Sequence, residues 1–483
     1  MQFRNPIPKL HETSIDQVVS PQHLAFIFTE PGAMRCMFAL YTCSTMTASL
    51  ADEQLYQLFE ESGLQVCTDT RKPIPGALFI CLKGERFDAN TFAVEALEAG
   101  SAHVLTENAA ICDGKRIHHV TDGLKALQRL ANIHRHRMRA KVIGIGGSNG
   151  KTTTKELLFQ VLSAAFPSIA TQGNLNNHIG VPLTLLRIRP ETEFAIVELG
   201  TNHPGEMAVV CAIAEPDLGI VTNIGKEHLE GFGSLEGVAK EESELYLSLL
   251  KRGGRAYINA EDENLMRMSA RLSDRVIFGG TSTASICRAD IHANFPYLDF
   301  QLQTAQGGYE VNASLGGAHN LDNMLAAAAV GLDQGMHPET VASALATYVP
   351  SNNRSQWMEA GGHRIWLDAY NANPSSMEAA LRSFAGWNHS PKAAILGDMF
   401  ELGSHEEAEH RAIAELAASL GFEAVYLCGA AFHRIASGDP RFKAFPDIAA
   451  LQQELQKHPL PTSGILIKGS RGVAMEKVLE VWH

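Results

Sequence analysis

The chain has 483 residues, too many for one hydrophobic core, so two to four domains are expected. It is 45% hydrophobic and 19% charged, the balance of an ordinary soluble globular protein, and its formal charge of −13 argues against nucleic-acid binding by phosphate neutralisation. Eight cysteines without a C-x-x-C pair suit reduced thiols in a cytosol, and no apolar run approaches the roughly 18 residues that would suggest membrane insertion.

Residues 1–45 show no clear period and are broken by Pro6, Pro8, Pro21 and Pro31. Their apolar patches, Leu24 to Phe28 and Met37 to Tyr41, are interrupted by Glu30, Pro31 and Arg35 and make a poor signal peptide. They read as an N-terminal extension. From 46 to 138 short strands and helices alternate. "MTASLADEQLYQLFEESG" carries a helical stripe of Leu50, Leu55, Leu58 and Phe59, "ALFICL" (77–82) reads as a strand and "VEALEAG" (94–100) as a helix.

A second domain, 139–350, opens on the buried-strand run Val142 to Ile145 and passes into "GGSNGKTTTKE". Leu157, Leu158, Val161 and Leu162 then mark the inner face of a helix. A glycine-rich turn between strand and helix puts Gly147, Ser148, Asn149, Gly150, Lys151, Thr152 and Thr153 at a helix N-terminus, where unpaired N–H groups and the helix dipole favour phosphate. Lys151 would reach the β/γ-phosphates of ATP and Thr152 would ligate Mg²⁺. The usual spacing of such a P-loop has a glycine where this chain has Ile145.

Further strand runs at Phe194 to Val197, Leu218 to Val221 and Ala256 to Ile258, with helical patterns between several of them, predict a mostly parallel sheet covered on both faces. Ligands collect outside the carboxyl ends of such strands. Glu198 and His228 each fall just beyond a strand end, so the pair could hold Mg²⁺ beside the P-loop. A third domain, 351–483, has similar runs at Ala393 to Leu396, Ala424 to Leu427 and Ile465 to Ile467. The class is α/β in three domains. No Ser-His-Asp or Cys-His constellation offers a nucleophile.

"GSNGKTTTKE", "TQGNLNNHIGVPLTLL", "VELGTNHPGEM", "TNIGKEHLEGFGSLEGVAK", "GAHNLDNMLAA", "DAYNANPSSMEAAL", "LGDMFELG" and "KGSRG" stand in the order found in the Mur ligases, which the chain resembles over about residues 60 to 475. That resemblance implies a small UDP-binding domain, a central ATPase domain and a C-terminal Rossmann-like domain. It implies an acyl phosphate formed from a carboxylate and ATP, then attacked by an amine. "YNANPSSM" with "LGDMFELG" points to the member that joins D-alanyl-D-alanine to UDP-N-acetylmuramoyl-tripeptide in peptidoglycan synthesis, working in the cytoplasm as a monomer.

By the same resemblance Thr70, Arg71, Lys83, Gly84 and Asp88 face the UDP-sugar, and Asn176 and Asn177 face the substrate. Asn320 and Asn323 contact adenine, Arg354 approaches ATP and Asp368 contacts the ribose, although Leu367 and Ala369 depart from the family pattern around it. The family's carbamylated lysine, which helps hold a second Mg²⁺, is replaced by Glu242, a native carboxylate on a shorter arm. Lys240, two residues earlier, would point about 200° away along the helix. Two other readings stay open: an amide ligase of the same fold adding a single amino acid or glutamate, and a nucleotide-controlled P-loop binding protein.

Overall fold

The chain divides into two units, Met1–Ala48 and Ser49–His483. The computed structural model describes residues 50–461 and 464–482. The proposed N-terminal extension therefore lies outside the described residues.

The first lobe is a four-stranded parallel sheet in the order β1 (Val66–Cys67), β2 (Leu78–Ile80), β3 (His103–Thr106), β4 (Ile117–His119). Side chains alternate across a strand, and both faces of this sheet are covered. Leu78, Ile80 and Leu105 enter one core, and Phe79 and Val104 enter another. The first core also takes Leu55, Leu58 and Phe59 from the helix Asp52–Glu61, the stripe expected from sequence. It runs on without a break into the second lobe, through Val181, Leu185, Ala195, Val197 and Val210.

The second lobe is built on six parallel strands: β5 (Lys141–Gly146), β6 (Ser168–Ala170), β7 (Phe194–Glu198), β8 (Leu218–Val221), β9 (Arg255–Asn259) and β10 (Arg275–Phe278). Their order is β10-β9-β8-β5-β7-β6, so β5, which leads into the glycine loop, is interior. Val142, Ala195 and Val197 point into the core shared with the first lobe. Ile143, Ile145, Phe194 and Ile196 point the other way, where they meet Leu157, Leu158, Val161 and Leu162 of the helix Lys151–Ser163 and the alanine-rich helix Ala318–Asp333.

A three-stranded antiparallel sheet follows, β11 (Cys287–Ala293), β12 (Asp299–Thr304) and β13 (Gly307–Asn312), which continuous apolar runs in the sequence do not mark. Its period-2 signal is present nonetheless, since Phe300 and Leu302 are buried on alternate positions of β12.

The third lobe carries β14 (Gln356–Ala360), β15 (His363–Asp368), β16 (Lys392–Gly397), β17 (Ala424–Cys428), β18 (Lys443–Phe445) and β19 (Gly464–Lys468), in the order β14-β15-β19-β16-β17-β18. Among the described residues only the β14–β15 pair is antiparallel in this sheet. An aromatic contact joins this lobe to the antiparallel sheet. Phe295, from the β11–β12 connection, lies edge-on to Trp357, Trp366, Phe384 and Trp387 at centroid distances of 4.8 to 6.1 Å. Trp357 Nε1 donates to the carbonyl of Pro296 at 2.9 Å.

Candidate active site

The loop after β5 is held in one shape by its glycines and by the neighbouring strand. Gly147 sits at φ 110, and a Cβ there would lie 2.2 Å from Thr222 Oγ1. Gly150 sits at φ 82, and a Cβ there would lie 2.4 Å from Asn323 Oδ1. Neither position tolerates a side chain. The loop after β8 ties down the rest: Ser148 N donates to Asn223 O at 2.9 Å, Asn149 N to Asn223 Oδ1 at 3.1 Å and Thr222 Oγ1 to Asn149 O at 2.6 Å. Ile145, where the usual pattern has glycine, is fully buried inside β5, so the left-handed turn is made by Gly147 instead.

The helix Lys151–Ser163 begins at Gly150 with no side-chain cap and no acidic residue in its first turn. Its terminal N–H groups thus keep their capacity for an anion. Lys151 Nζ donates to the carbonyl of Gly147 and to Glu227 Oε2, the latter at 3.2 Å. Burial works against its charge, but Glu227, Glu242 and Glu198 outweigh burial and hold its pKa above the usual value.

Glu242 lies on the helix Leu235–Arg252 and is fully buried, while Lys240 is exposed, the opposite faces that helical geometry expects. Its Oε2 accepts from Gly147 N at 2.6 Å, so its first contact is the loop backbone. Burial pushes this carboxyl above the usual carboxylate range, and the charge of Lys151 opposes that shift.

Glu198, at the end of β7, accepts from Thr152 Oγ1 at 3.0 and 3.2 Å and from Asn176 Nδ2 at 3.0 Å. Lys155 Nζ stands 3.8 Å from it. His228 approaches from the loop after β8, its Nε2 3.9 Å from Glu227 Oε2 and its Nδ1 paired with Glu401 of the third lobe. Sequence-based reading expects Glu198 and His228 to hold one cation between them. Among the described residues, however, no three His, Cys, Asp or Glu side chains converge into a metal cage. Mg²⁺ keeps several waters and substrate phosphate oxygens, so an all-protein cage is not what it requires. The donors present are hard oxygens and one imidazole, and Glu227 Oε1 and Glu242 Oε1 are buried with no hydrogen-bond partner. That donor set fits a divalent cation.

The remaining expected residues divide between the site and local structure. Asn323 Oδ1 accepts from Thr154 Oγ1 at 3.0 Å, and Asn323 Nδ2 donates to Asn320 Oδ1 at 3.0 Å, which sets both asparagines against the glycine loop. Thr153 is buried in the same first turn. The guanidinium of Arg354 stacks on Tyr370 at 3.7 Å. Asp368 accepts from Lys468 Nζ at 2.5 Å and from Ser355 N at 3.2 Å. Burial raises its pKa, yet Lys468 more than offsets this and keeps it below the usual range.

Asn177, beside Asn176 in sequence, accepts at Oδ1 from the N–H groups of Ile179 and Gly180, at the entry to the helix Gly180–Leu185. In the first lobe, Arg71 forks onto Asp69, which lies one residue before Thr70. Asp88 caps the turn Ala89–Phe92 and stands 3.8 Å from Lys83, and Gly84 N donates to Phe87 O at 2.8 Å. Thr70, Arg71, Lys83, Gly84 and Asp88 thus lie in exposed and half-exposed loops beside β1 and β2, where these bonds tie them to their own sequence neighbours.

Several residues at the centre of the site stand inside the stretches "TNIGKEHLEG" and "YNANPSSM" but are not singled out by their type. Glu227 receives Lys151. Asn373 Nδ2 donates to Asn149 Oδ1 at 2.9 Å, Lys226 N to Ser375 Oγ at 2.8 Å and Lys226 Nζ to Glu409 Oε1 at 2.6 Å. The third lobe therefore closes directly on the glycine loop. Asn373 also caps the helix Pro374–Ala385, so its backbone role alone would explain the residue type.

A glycine loop at the carboxyl edge of a parallel sheet, an uncapped helix terminus and an ion-paired lysine define a P-loop nucleotide-binding protein. Residues 145–331 match the Mur ligase middle domain, and residues 353–471 match the Mur ligase, glutamate ligase domain. A UDP-N-acetylmuramoyl-tripeptide–D-alanyl-D-alanine ligase of Escherichia coli (strain K12) is 37% identical over 422 residues, covering 86% of this chain and 92% of the relative. Among solved structures, MurF from Acinetobacter baumannii superposes with a TM-score of 0.80 at 31% identity, covering 90% of this chain and 99% of that one. MurF ligase from Thermotoga maritima, solved in complex with ADP, gives a TM-score of 0.77 at 26% identity over 86% of this chain and 96% of that one. The chain belongs to the Mur ligase family.

Proposed function

We propose that this protein is the ATP-dependent ligase that joins the amino group of D-alanyl-D-alanine to the terminal carboxylate of UDP-N-acetylmuramoyl-tripeptide. The observation that carries the reading is the closure of the third lobe on the P-loop through Asn373 and Asn149, in a chain similar over 86% of its length to a ligase of that name. A simple P-loop switch has no use for a separate lobe seated on its phosphate loop.

The chemistry asks for charge stabilisation rather than a protein nucleophile. The substrate carboxylate attacks the γ-phosphate of ATP to give an acyl phosphate and ADP, and the dipeptide amine then displaces phosphate. Lys151 leaves Glu227 for the phosphates, and the bare N–H groups of the helix Lys151–Ser163 bind the same anion. In this reading Asn320 and Asn323 contact adenine, and Arg354 and Asp368 serve the nucleotide from the third lobe. Asn176 stands beside Glu198, ready to read the peptide, and the first lobe takes the UDP-sugar through Thr70, Arg71, Lys83, Gly84 and Asp88. Thr152, Glu198, His228 and Glu242 are the residues that would hold Mg²⁺, which when bound neutralises phosphate charge. Beside a cation Glu242 carries its charge without any adduct, so activity is independent of bicarbonate. All these residues lie on one chain, so a monomer carries a complete site. Its water-soluble substrates argue for a cytosolic reaction.

Phosphate release with UDP-N-acetylmuramoyl-tripeptide, tested against D-alanyl-D-alanine and against single amino acids, decides the matter. Turnover with the dipeptide is expected, and turnover only with a single amino acid would overturn the assignment.

A further inference from the structure

A cavity of about 460 Å³ lies beside the helix Lys151–Ser163, between its face of Glu156, Phe159 and Gln160 and the outermost strand β6. Its wall continues through Thr171, Gln172 and Gly173, the start of the loop that brings Asn176 to Glu198. Thr171 Oγ1 accepts from Glu198 N at 3.0 Å, so the cavity adjoins the candidate active site.

Two cations line it. Lys155 is only 3% exposed, yet among the described residues its ammonium makes no hydrogen bond and has only long ion contacts, 3.8 Å to Glu198 Oε2 and 3.9 Å to Glu156 Oε1. Arg187, half-buried, donates from Nη1 to Ala170 O at 2.9 Å and meets no carboxylate among the described residues. Glu156 is the one acid in the lining, and its Oε2 already accepts from Tyr348 Oη at 2.8 Å. Buried donors without acceptors cost free energy. Two cations against one committed acid, in a chain of net charge −13, therefore mark the cavity for an anion. Phe159, 39% exposed, and Ile169 add apolar surface that a peptide uses and a bare phosphate does not.

We propose that this cavity holds the peptide arm of the acceptor, with Lys155 and Arg187 taking a carboxylate other than the one that reacts. The reacting carboxylate must reach the phosphates at Lys151, and Lys155 follows one helical turn later, about 6 Å along the axis. Two extended residues span that distance, so a second carboxylate of the same peptide reaches the cavity. The identity of the acceptor rests on the ligase reading, whereas the anion site stands on the geometry.

Calorimetric titrations of the full chain test it with three ligands: UDP-N-acetylmuramoyl-tripeptide, the same compound with every carboxylate of the peptide but the reacting one amidated, and UDP-N-acetylmuramic acid, which has no peptide. Arg187→Ala is expected to bind the tripeptide compound about 10- to 100-fold more weakly and UDP-N-acetylmuramic acid as before, with Arg187→Lys recovering part of the loss. Amidation is expected to cost the unmodified protein a similar factor and to cost Arg187→Ala nothing more. An equal loss of UDP-N-acetylmuramic acid in Arg187→Ala would overturn the proposal, because the variant would then disturb more than a peptide contact. Unweakened binding of the amidated compound by the unmodified protein would overturn it whatever the variants do. Failure of the ligase reading would look different, since the unmodified protein would then bind none of the three.

Discussion

Lys151 shows how one buried charge is kept available. Its ammonium is surrounded by Glu227, Glu242 and Glu198, which preserve its charge against burial and hand it to a stronger anion when phosphate arrives. Lys151→Ala is expected to lower turnover by roughly 10² to 10³, the usual effect of deleting one preorganised donor, with the circular-dichroism spectrum unchanged. Retention of near-normal turnover would make the loop purely structural. Gly147→Ala is expected to fail differently, by displacing Thr222 and lowering the melting temperature as well as activity.

His319 supplies a pH dependence. Its ring is packed near Trp366, and burial depresses its pKa to about 4, with Asp368 opposing and Lys468 adding to the effect. An imidazole whose folded pKa lies below its unfolded 6.5 binds its proton more readily in the unfolded chain. Its neutral form is therefore fully compatible with the fold above pH 6.5, and stability drains away as pH falls from 6.5 toward 4. Denaturant titrations of His319→Asn and the unmodified protein should show the stability difference changing across that interval by at most about 1.4 kcal/mol per pH unit, and staying flat above it.

Among the elements, the short antiparallel sheet does more than cover a core. Its β11–β12 connection places Phe295 among four aromatic rings of the third lobe. Edge-to-face ring pairs contribute beyond simple area burial, so this contact anchors the lobe at one point while Asn373 and Glu401 touch the loops at another. Phe295→Ala is expected to cost about 1–3 kcal/mol and to separate melting of the third lobe as an earlier calorimetric transition. A single transition at the original temperature would show that the polar contacts alone hold the lobe.

In the molecule as a whole, the first two lobes share one continuous core, while the third is built on two others, one of which takes in Leu229 of the second lobe. The nucleotide would sit where the third lobe meets the shared body. Binding energy at such a junction couples to the stability of both sides, by about 2.7 kcal/mol at a ligand concentration 100 times Kd. Addition of ADP with Mg²⁺ should therefore raise the melting temperature of the unmodified protein and leave Lys151→Ala nearly unmoved. An equal rise in both would place the nucleotide elsewhere.

The strand, glycine turn and helix around Lys151 were legible in the sequence because all three are contiguous, and each depends on local chemistry: buried β-branched runs, glycine at left-handed positions, and an amphipathic helix. The burial of Glu242 and exposure of Lys240 were legible for a similar reason, since helical rotation alone separates them. Local chemistry does not tell a turn-forming asparagine from one that meets a carboxylate, and Asn177 and Asn176, adjacent in sequence, bond differently: one to the N–H groups of Ile179 and Gly180 and one to Glu198. Glu227, Asn373 and Glu401 stand inside "TNIGKEHLEGFGS", "DAYNANPSSM" and "LGDMFELG", but a residue type within such a stretch does not say what its side chain touches. They matter because β8 ends beside β5 and because the third lobe docks on the loops between them, and only the folded chain brings residues 76 to 224 positions apart within reach of one another.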